Sequence, residues 1–285
     1  MPRPSPAWYD AQYNNRARIA DFPAIAQHWS AESARARERL AGVLDVAYGN
    51  APSERLDIFP AAGTQPNAPV LVHIHGGYWR ALDKRDQSFI APPFVAAGAM
   101  VVVPNYALCP AVRIDDIALQ LVRALAWVYR HAAQYGGDPS RIVVAGHSAG
   151  GHLAAMLLAC DWPAVAADLP PNLVRAALAI SGLFDLEPVR HAPFLAPDLK
   201  LTAASARRLS PAFMPAPRGP LVAVVGGSES EEFLRQNALI GRAWGPQAVP
   251  ACEVVPGCNH MTVVHEWADP RSRLHRWGLR LLGLA

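Results

Sequence analysis

The sequence is poor in thiols, in clustered charge and in long apolar runs, and each shortage removes a class of function. Its 285 residues include four cysteines, Cys109, Cys160, Cys252 and Cys258. No spacing among them matches a zinc or iron–sulfur site. Reduced thiols and a cytoplasmic location are the default expectation for such a chain. Cys160 reads as a small core residue, and Cys258 as packing close to a candidate site histidine. Lys and Arg number 26 against 23 Asp and Glu, a formal charge of +3, and no dense basic block gathers them. Arg16, Arg18, Arg35, Arg37 and Arg39 are spread as on solvated helix faces, so no nucleic-acid partner is expected. No apolar stretch approaches the ~20 residues that cross a bilayer. The opening residues 1–6 have no apolar core behind them and do not read as a signal peptide. No internal repeat is present.

Apolar residues, by contrast, make up 52% of the chain against 17% charged, which implies a large buried core. The segments 70–75, 100–104, 141–145, 174–181, 221–225 and 251–255 read as strands, with the apolar runs 70–72 and 142–145 read as buried, after an antiparallel start at 43–48 and 55–59. Helical patterns fall near 86–97, 114–134, 149–160, 230–243 and 270–282, with one or two more in 7–41. This alternation predicts an α/β fold with a mostly parallel, doubly wound sheet, in a single domain spanning 1–285. The segment 184–218 breaks the rhythm with Pro188, Pro193, Pro197, Pro211, Pro215 and Pro217. It reads as a small helical cap over the carboxyl edge of the sheet, to which the helices in 7–41 add. A cap excludes water and shapes a pocket, so substrate choice is expected there.

Three constellations carry chemistry. The first is Gly146-His-Ser-Ala-Gly150, a G-x-S-x-G pattern between the apolar run Ile142 to Ala145 and a Leu/Ala-rich helix. A strand that turns sharply into a helix through this pattern exposes its serine at the sheet edge, where a nucleophile is useful. The second is His75-Gly-Gly-Tyr-Trp79, after the strand run Val70-Leu-Val72. A Gly-Gly turn at a strand end brings bare N–H groups close to a substrate. Gly77 and Tyr78 are assigned by position as oxyanion donors, with Ala149, the residue after the serine, as a third. Alone, His-Gly-Gly is a tight turn and nothing more; beside the serine elbow the catalytic reading prevails.

The third constellation is C-terminal. Glu229 follows the strand run 221–225, and His260 follows the strand run 251–255. The chain order Ser, acid, His belongs to one hydrolase architecture. Ser148 is the candidate nucleophile, His260 the base and Glu229 the acid that orients it. Rivals stand beside each. His265 falls in the following helical turn; His75 holds its own loop; His147 and His152 flank the serine as bland companions. Glu231 and Glu232 suit the first turn of a helix, where the macrodipole favours acids. Asp185 also follows a strand and is the second choice of acid. A metal site at His73-x-His75 is disfavoured, because no carboxylate ligand partner is evident beside the pair.

On these residues the chain resembles the α/β-hydrolase fold. Within it the chain is similar to the kynurenine formamidase (arylformamidase) branch and its bacterial esterase-like relatives. Ser181-Gly-Leu-Phe-Asp-Leu186, Glu229-Ser-Glu-Glu-Phe-Leu-Arg-Gln236, Gly257-Cys-Asn-His260 and Tyr9-Asp-Ala-Gln-Tyr-Asn-Asn-Arg16 extend the resemblance over almost the whole chain. Hormone-sensitive-lipase-like enzymes carry a third Gly where Tyr78 stands. One departure is Glu229, where the formamidase pattern has Asp. The resemblance implies a cofactor-free, metal-free serine hydrolase acting on a small-molecule ester or amide, N-formylkynurenine-like, through an acyl-Ser148 intermediate. Tyr78 and Trp79 are expected to bind substrate as an aromatic wall for an aryl leaving group, with loop packing as the equal alternative for Trp79. A broad short-chain carboxylesterase and a non-catalytic binding protein of the same fold are the other readings. Oligomeric state, monomer or homodimer, stays open.

Overall fold

The computed structural model describes residues 4–63 and 67–285. Residues 1–3 of the opening run lie outside that description. Eight strands form one sheet: β1 Val43–Ala47, β2 Arg55–Phe59, β3 Ala68–Ile74, β4 Met100–Pro104, β5 Gly137–His147, β6 Val174–Ile180, β7 Leu221–Gly226 and β8 Ala251–Val255. Their order is β1-β2-β4-β3-β5-β6-β7-β8. β1 and β2 are antiparallel, β2 is antiparallel to β4, and every other pairing is parallel. This is the α/β-hydrolase architecture.

Helices cover both faces, so the central strands read as unbroken apolar runs rather than alternating ones. Every residue of β3 is buried. Its side chains alternate between two cores. Val70, Val72 and Ile74 join one face, whereas Leu71 joins Val101, Val143 and Ala145 on the other. Truncating one such residue, as in Leu71→Ala, costs about 2–5 kcal/mol through lost transfer energy and the cavity left behind.

The helix Ile114–His131 shows why the local sequence suffices for some elements. Asp115 and Asp116 occupy its first turn, and Arg130 and His131 its last. Both ends therefore complement the helix dipole. The region expected as one helix at 86–97 is instead two 3-10 turns, Lys84–Asp86 and Ser88–Ile90, followed by the helix Ala91–Ala96. Pro92 and Pro93 explain the difference, since proline fits only the first turn of a helix. The helix expected at 230–243 runs on through Glu231–Ala248, with a kink at Gly245 before Pro246. The residues 7–41 form three helices, Pro6–Tyr13, Asn15–Arg18 and Phe22–Arg39.

The segment 184–218 folds into short turns and helices, including Ala196–Leu199 and Ala203–Arg208. Its Phe184, Leu186, Val189, Leu195 and Leu199 are buried in the same cluster as Val70 and Val72. Among the described residues no helix is long and apolar enough to cross a membrane.

Candidate active site

Ser148 sits between the end of β5 and the helix Ala149–Leu158, with φ 57° and ψ −119°. A non-glycine residue held there stores roughly 1–3 kcal/mol of strain. Neighbouring bonds hold it: Ser148 N donates to Ile180 O at 2.8 Å, and His152 N donates to Ser148 O at 3.1 Å. Close packing of the helix on β3 makes the turn possible. A Cβ on Gly150 would lie 2.1 Å from Ile74 O, which no side chain tolerates. Ser148 is 3% exposed.

The turn after β3 faces this serine. Tyr106 stacks on His75 with ring centroids 4.1 Å apart and donates its hydroxyl to His75 O at 2.7 Å. Gly77 has φ +98°, and a Cβ on it would lie 2.2 Å from Ala81 O. Tyr78 and Trp79 follow at φ 50° and 56°. Among the described residues, no turn, loop or side-chain hydrogen bond uses the N–H of Gly77, Tyr78 or Ala149. Tyr78 donates its hydroxyl to Tyr13 O at 2.6 Å. Burial, then the charge of Glu229, raises its phenol well above the ordinary value, so it stays a donor.

The expectation that Trp79 contributes a substrate wall is corrected here. Consecutive residues in this tight turn diverge: Tyr78 lines the cavity and Trp79 does not. The Trp79 indole is fully buried and lies edge-on to His152 at 5.0 Å. It is loop packing.

β7 delivers Glu229 and β8 delivers His260. His260 Nδ1 lies 2.6 Å from Glu229 Oε2. The other carboxylate oxygen, Oε1, accepts from Gly226 N at 2.8 Å and from the Ser181 hydroxyl. The Glu229 side chain is fully buried and His260 is 3% exposed. Asn259 Oδ1 accepts from the N–H groups of Met261 and Thr262, both at 2.9 Å, and so shapes the loop that carries His260. Phe233 packs against the imidazole at 4.4 Å.

His147, read from sequence as a bland companion, has a specific position. Its Nε2 lies 2.7 Å from His260 O; a carbonyl only accepts, so His147 donates. Burial first, and then the neighbouring His260, push its pKa well below the ordinary value, which keeps it neutral.

The rival residues are engaged elsewhere. His265 accepts from Trp29 Nε1 at 2.9 Å. His152 donates to Leu209 O at 2.7 Å. Asp185 accepts from Glu187 N at 3.1 Å and lies 3.6 Å from Arg235. Glu232 pairs with Arg235 at 2.7 Å and accepts from Tyr13 at 2.6 Å. Glu231 is exposed. His73 contacts Gln87 and His75 contacts Asn105, so the two imidazoles do not converge.

Ser148, His260, Gly77 and Tyr78 border one cavity of about 250 Å³. Its other walls include Phe22, Trp29, Phe194 and Met261, together with Asn15 and Arg16. The helices in 7–41 were expected to add to the cap, but no local pattern singled out Asn15, Arg16, Phe22 or Trp29, because these residues and the serine lie far apart along the chain. Ser181, which bonds the acid, was visible only as part of a motif.

Comparison with known proteins agrees with this architecture. The BD-FAE family model matches residues 56–162. Kynurenine formamidase of Danio rerio is 30% identical over 256 residues, covering 87% of this chain and 85% of that protein. Esterase LipQ of Mycobacterium tuberculosis is 35% identical over 157 residues, covering 53% of this chain and 37% of its own length. A crystal structure from Silicibacter sp. TM1040, provisionally named a thioesterase, superimposes with a TM-score of 0.81 at 32% identity, covering 92% of this chain and 95% of that one. The carboxylesterase EstE1 from a metagenomic library shares the fold at a TM-score of 0.71 and 20% identity, over 91% of this chain and 93% of its own. The chain is a hydrolase of the α/β-hydrolase fold and belongs to the kynurenine formamidase family.

Proposed function

We propose that the protein hydrolyses a small aryl formamide of the N-formylkynurenine type, using Ser148 as nucleophile, His260 as base and Glu229 as the acid that orients it. The observation that carries this reading is the 2.6 Å contact between His260 Nδ1 and Glu229 Oε2, beside a strained serine in the same cavity. A carboxylate on Nδ1 leaves Nε2 free to accept a proton.

Ser148 Oγ attacks the formyl carbon and passes its proton to His260. The carbonyl oxygen gains the negative charge and is stabilised by the N–H groups of Gly77, Tyr78 and Ala149. Each such donor is worth about 3 kcal/mol to the transition state. The intermediate collapses as the C–N bond breaks and His260 protonates the departing aryl amine. An anilide nitrogen leaves poorly without that proton. Water then attacks the formyl-serine and gives its proton to His260, which passes it to Ser148 Oγ as the bond between that oxygen and the formyl carbon breaks, releasing formic acid, which ionises to formate. No metal or cofactor takes part in this scheme. The only partner it needs is a small-molecule substrate.

The family membership supports the formamide reading. The similarity to LipQ favours a second, a broad short-chain carboxylesterase working by the same acyl-serine chemistry. Two measurements decide. A fluorophosphonate probe labels the wild type and not Ser148→Ala; labelling that survives the substitution removes Ser148 from the scheme. Comparison of kcat/KM for N-formylkynurenine with p-nitrophenyl acetate and butyrate separates the substrates. Negligible formamide turnover beside efficient ester cleavage makes the protein a carboxylesterase.

A further inference from the structure

His147, the residue before Ser148, has one ring nitrogen committed and one free. Its Nε2 donates to His260 O at 2.7 Å, which leaves Nδ1 with a lone pair and no hydrogen. Burial, then the neighbouring His260, keep the ring neutral, so that lone pair persists. No donor among the described residues reaches Nδ1. The Nδ1 atoms of His73 and His152 also lack partners, but both are sealed inside the protein, whereas that of His147 keeps accessible surface. His147 is 4% exposed, and it borders the catalytic cavity.

The free nitrogen lies at the end of the cavity that holds Ser148. A Cβ on Gly76 would sit 3.2 Å from Ser148 Cβ and 3.4 Å from His147 Nδ1. Serine and nitrogen therefore flank the same bare stretch of the turn after β3. The rings of His147 and His260 are 4.6 Å apart, so a leaving group that takes its proton from His260 departs alongside His147. Three donors bordering the cavity are spent elsewhere: Trp29 Nε1 on His265, the Tyr78 hydroxyl on Tyr13 O, and Arg80 on Asp198. The cavity thus presents a neutral acceptor beside the proposed nucleophile. A ligand that covers it without offering a donor leaves it unpaired, at a cost.

We propose that His147 Nδ1 accepts a hydrogen bond from the N–H of the scissile amide, so that His147 favours amides over esters of the same shape. The role rests on the proposed reading of Ser148 as nucleophile and His260 as base. When Ser148 Oγ bonds to the acyl carbon, the C–N bond loses its double-bond character and the nitrogen becomes pyramidal. Its N–H then points one way and its lone pair another. His147 holds the N–H, which turns the lone pair towards His260 for protonation. The C–N bond breaks and the amine leaves with both hydrogens, while His147 neither gains nor loses a proton. An ester oxygen has no hydrogen to offer, and its lone pairs face that of His147.

Three substrates test it: 4-nitroformanilide, its N-methyl derivative, which has no N–H, and p-nitrophenyl acetate. His147→Leu removes both hydrogen bonds of the imidazole. His147→Gln keeps a donor for His260 O and an acceptor for the cavity. In His147→Leu all three rates fall through the loss at His260 O. In addition, the ratio of kcat/KM for 4-nitroformanilide to that for the N-methyl derivative falls by about tenfold, the scale of one hydrogen bond. Comparing this ratio between enzymes cancels the intrinsic difference between the two anilides. His147→Gln is expected between wild type and His147→Leu. A ratio equal in wild type and His147→Leu overturns the inference, because a merely structural histidine slows both anilides alike. Should His147→Leu not fold, His147→Ala takes its place and the same ratio decides. Should the wild type cleave neither anilide nor N-formylkynurenine, the formamide reading falls, and binding of both anilides to Ser148→Ala by equilibrium dialysis replaces the rates. A preference for the N–H anilide that His147→Leu abolishes in that background sustains the acceptor, and an unchanged preference refutes it.

Discussion

Glu229→Gln keeps the shape of the acid and changes only its chemistry, which makes it the sharpest test of the proposed site. The carboxylate now uses one oxygen for His260 Nδ1 and the other for Gly226 N and the Ser181 hydroxyl. An amide has one acceptor and one donor, and cannot serve both sides. If its NH₂ faces Gly226 N, two donors confront each other in a buried site. The amide therefore turns its oxygen to Gly226 and its NH₂ to His260. The imidazole is then forced to accept at Nδ1 and to carry its proton on Nε2, the wrong tautomer for taking one from Ser148. Exchange of the acid for its amide in a triad of this kind lowers kcat by about 10⁴. The stability loss is much smaller, roughly 1–3 kcal/mol for weakened charged hydrogen bonds. The expected result is thus a folded protein, shown by a cooperative thermal transition, with kcat on p-nitrophenyl acetate down by about three to four orders of magnitude. Asp185→Asn and Glu231→Gln should stay within about tenfold of wild type, because Asp185 faces Arg235 and Glu231 faces solvent. A Glu229→Gln enzyme within tenfold of wild type, or an Asp185→Asn enzyme that is the more damaged, refutes the assignment.

Acid should destabilise the fold in a defined window. Burial lowers the pKa of His73 and of His152 to about 4, against about 6.5 for an unfolded chain. The unfolded state thus binds more protons between these values, and stability present above pH ~6.5 drains away as pH falls towards 4, by on the order of 3 kcal/mol per histidine at most. Urea midpoints that stay flat from pH 7 to 4.5 would contradict this. Gly150→Val should fail to give soluble, folded protein or should lose most of its activity, since its Cβ would meet Ile74 O at 2.1 Å. A Gly150→Val enzyme with wild-type melting temperature and rate would show that the helix need not pack on β3 as closely as it does.

The strands were legible in the sequence for a physical reason. Parallel strands buried on both faces are mostly apolar, so β3, β4 and β7 announce themselves as Val-rich runs. The proposed reactive groups could be picked out because Ser148, Glu229 and His260 each follow a strand, and strand ends share one edge of a parallel sheet. Orientation within a turn was not legible. Tyr78 and Trp79 are both large, aromatic and adjacent, and only backbone angles decide that one faces the cavity while the other fills the core. Nor could spacing reveal that the Ser181 hydroxyl reaches Glu229, or that Arg16 borders the same space as Ser148. Those partners meet through tertiary packing alone. The helix expected at 86–97 failed on local chemistry, where two prolines overrode a helical pattern.

The N-terminal helix Pro6–Tyr13 joins these separate pieces. Eight residues are too few to hold a helix in water without tertiary contacts. Its conformation therefore depends on where it docks. It docks on three parts of the site at once. Tyr13 O accepts from the hydroxyl of Tyr78, in the turn after β3, at 2.6 Å. The Tyr13 hydroxyl donates to Glu232 at 2.6 Å, three residues beyond the acid, and Gln12 accepts from Glu232 N at 3.2 Å. Asp10 accepts from Phe194 N at 3.3 Å, in the segment that breaks the strand–helix rhythm. Burial, then Glu232, raise the Tyr13 phenol well above its ordinary value, so it remains a donor at any physiological pH. The next residues, Asn14 to Arg16, are the cavity wall. Docking of this helix and ordering of that wall are consequently one event. This wall of the cavity is tied through Tyr13 to the turn that carries Gly77 and Tyr78 and to the helix that follows Glu229, so its position and the geometry around Ser148 share the same few hydrogen bonds.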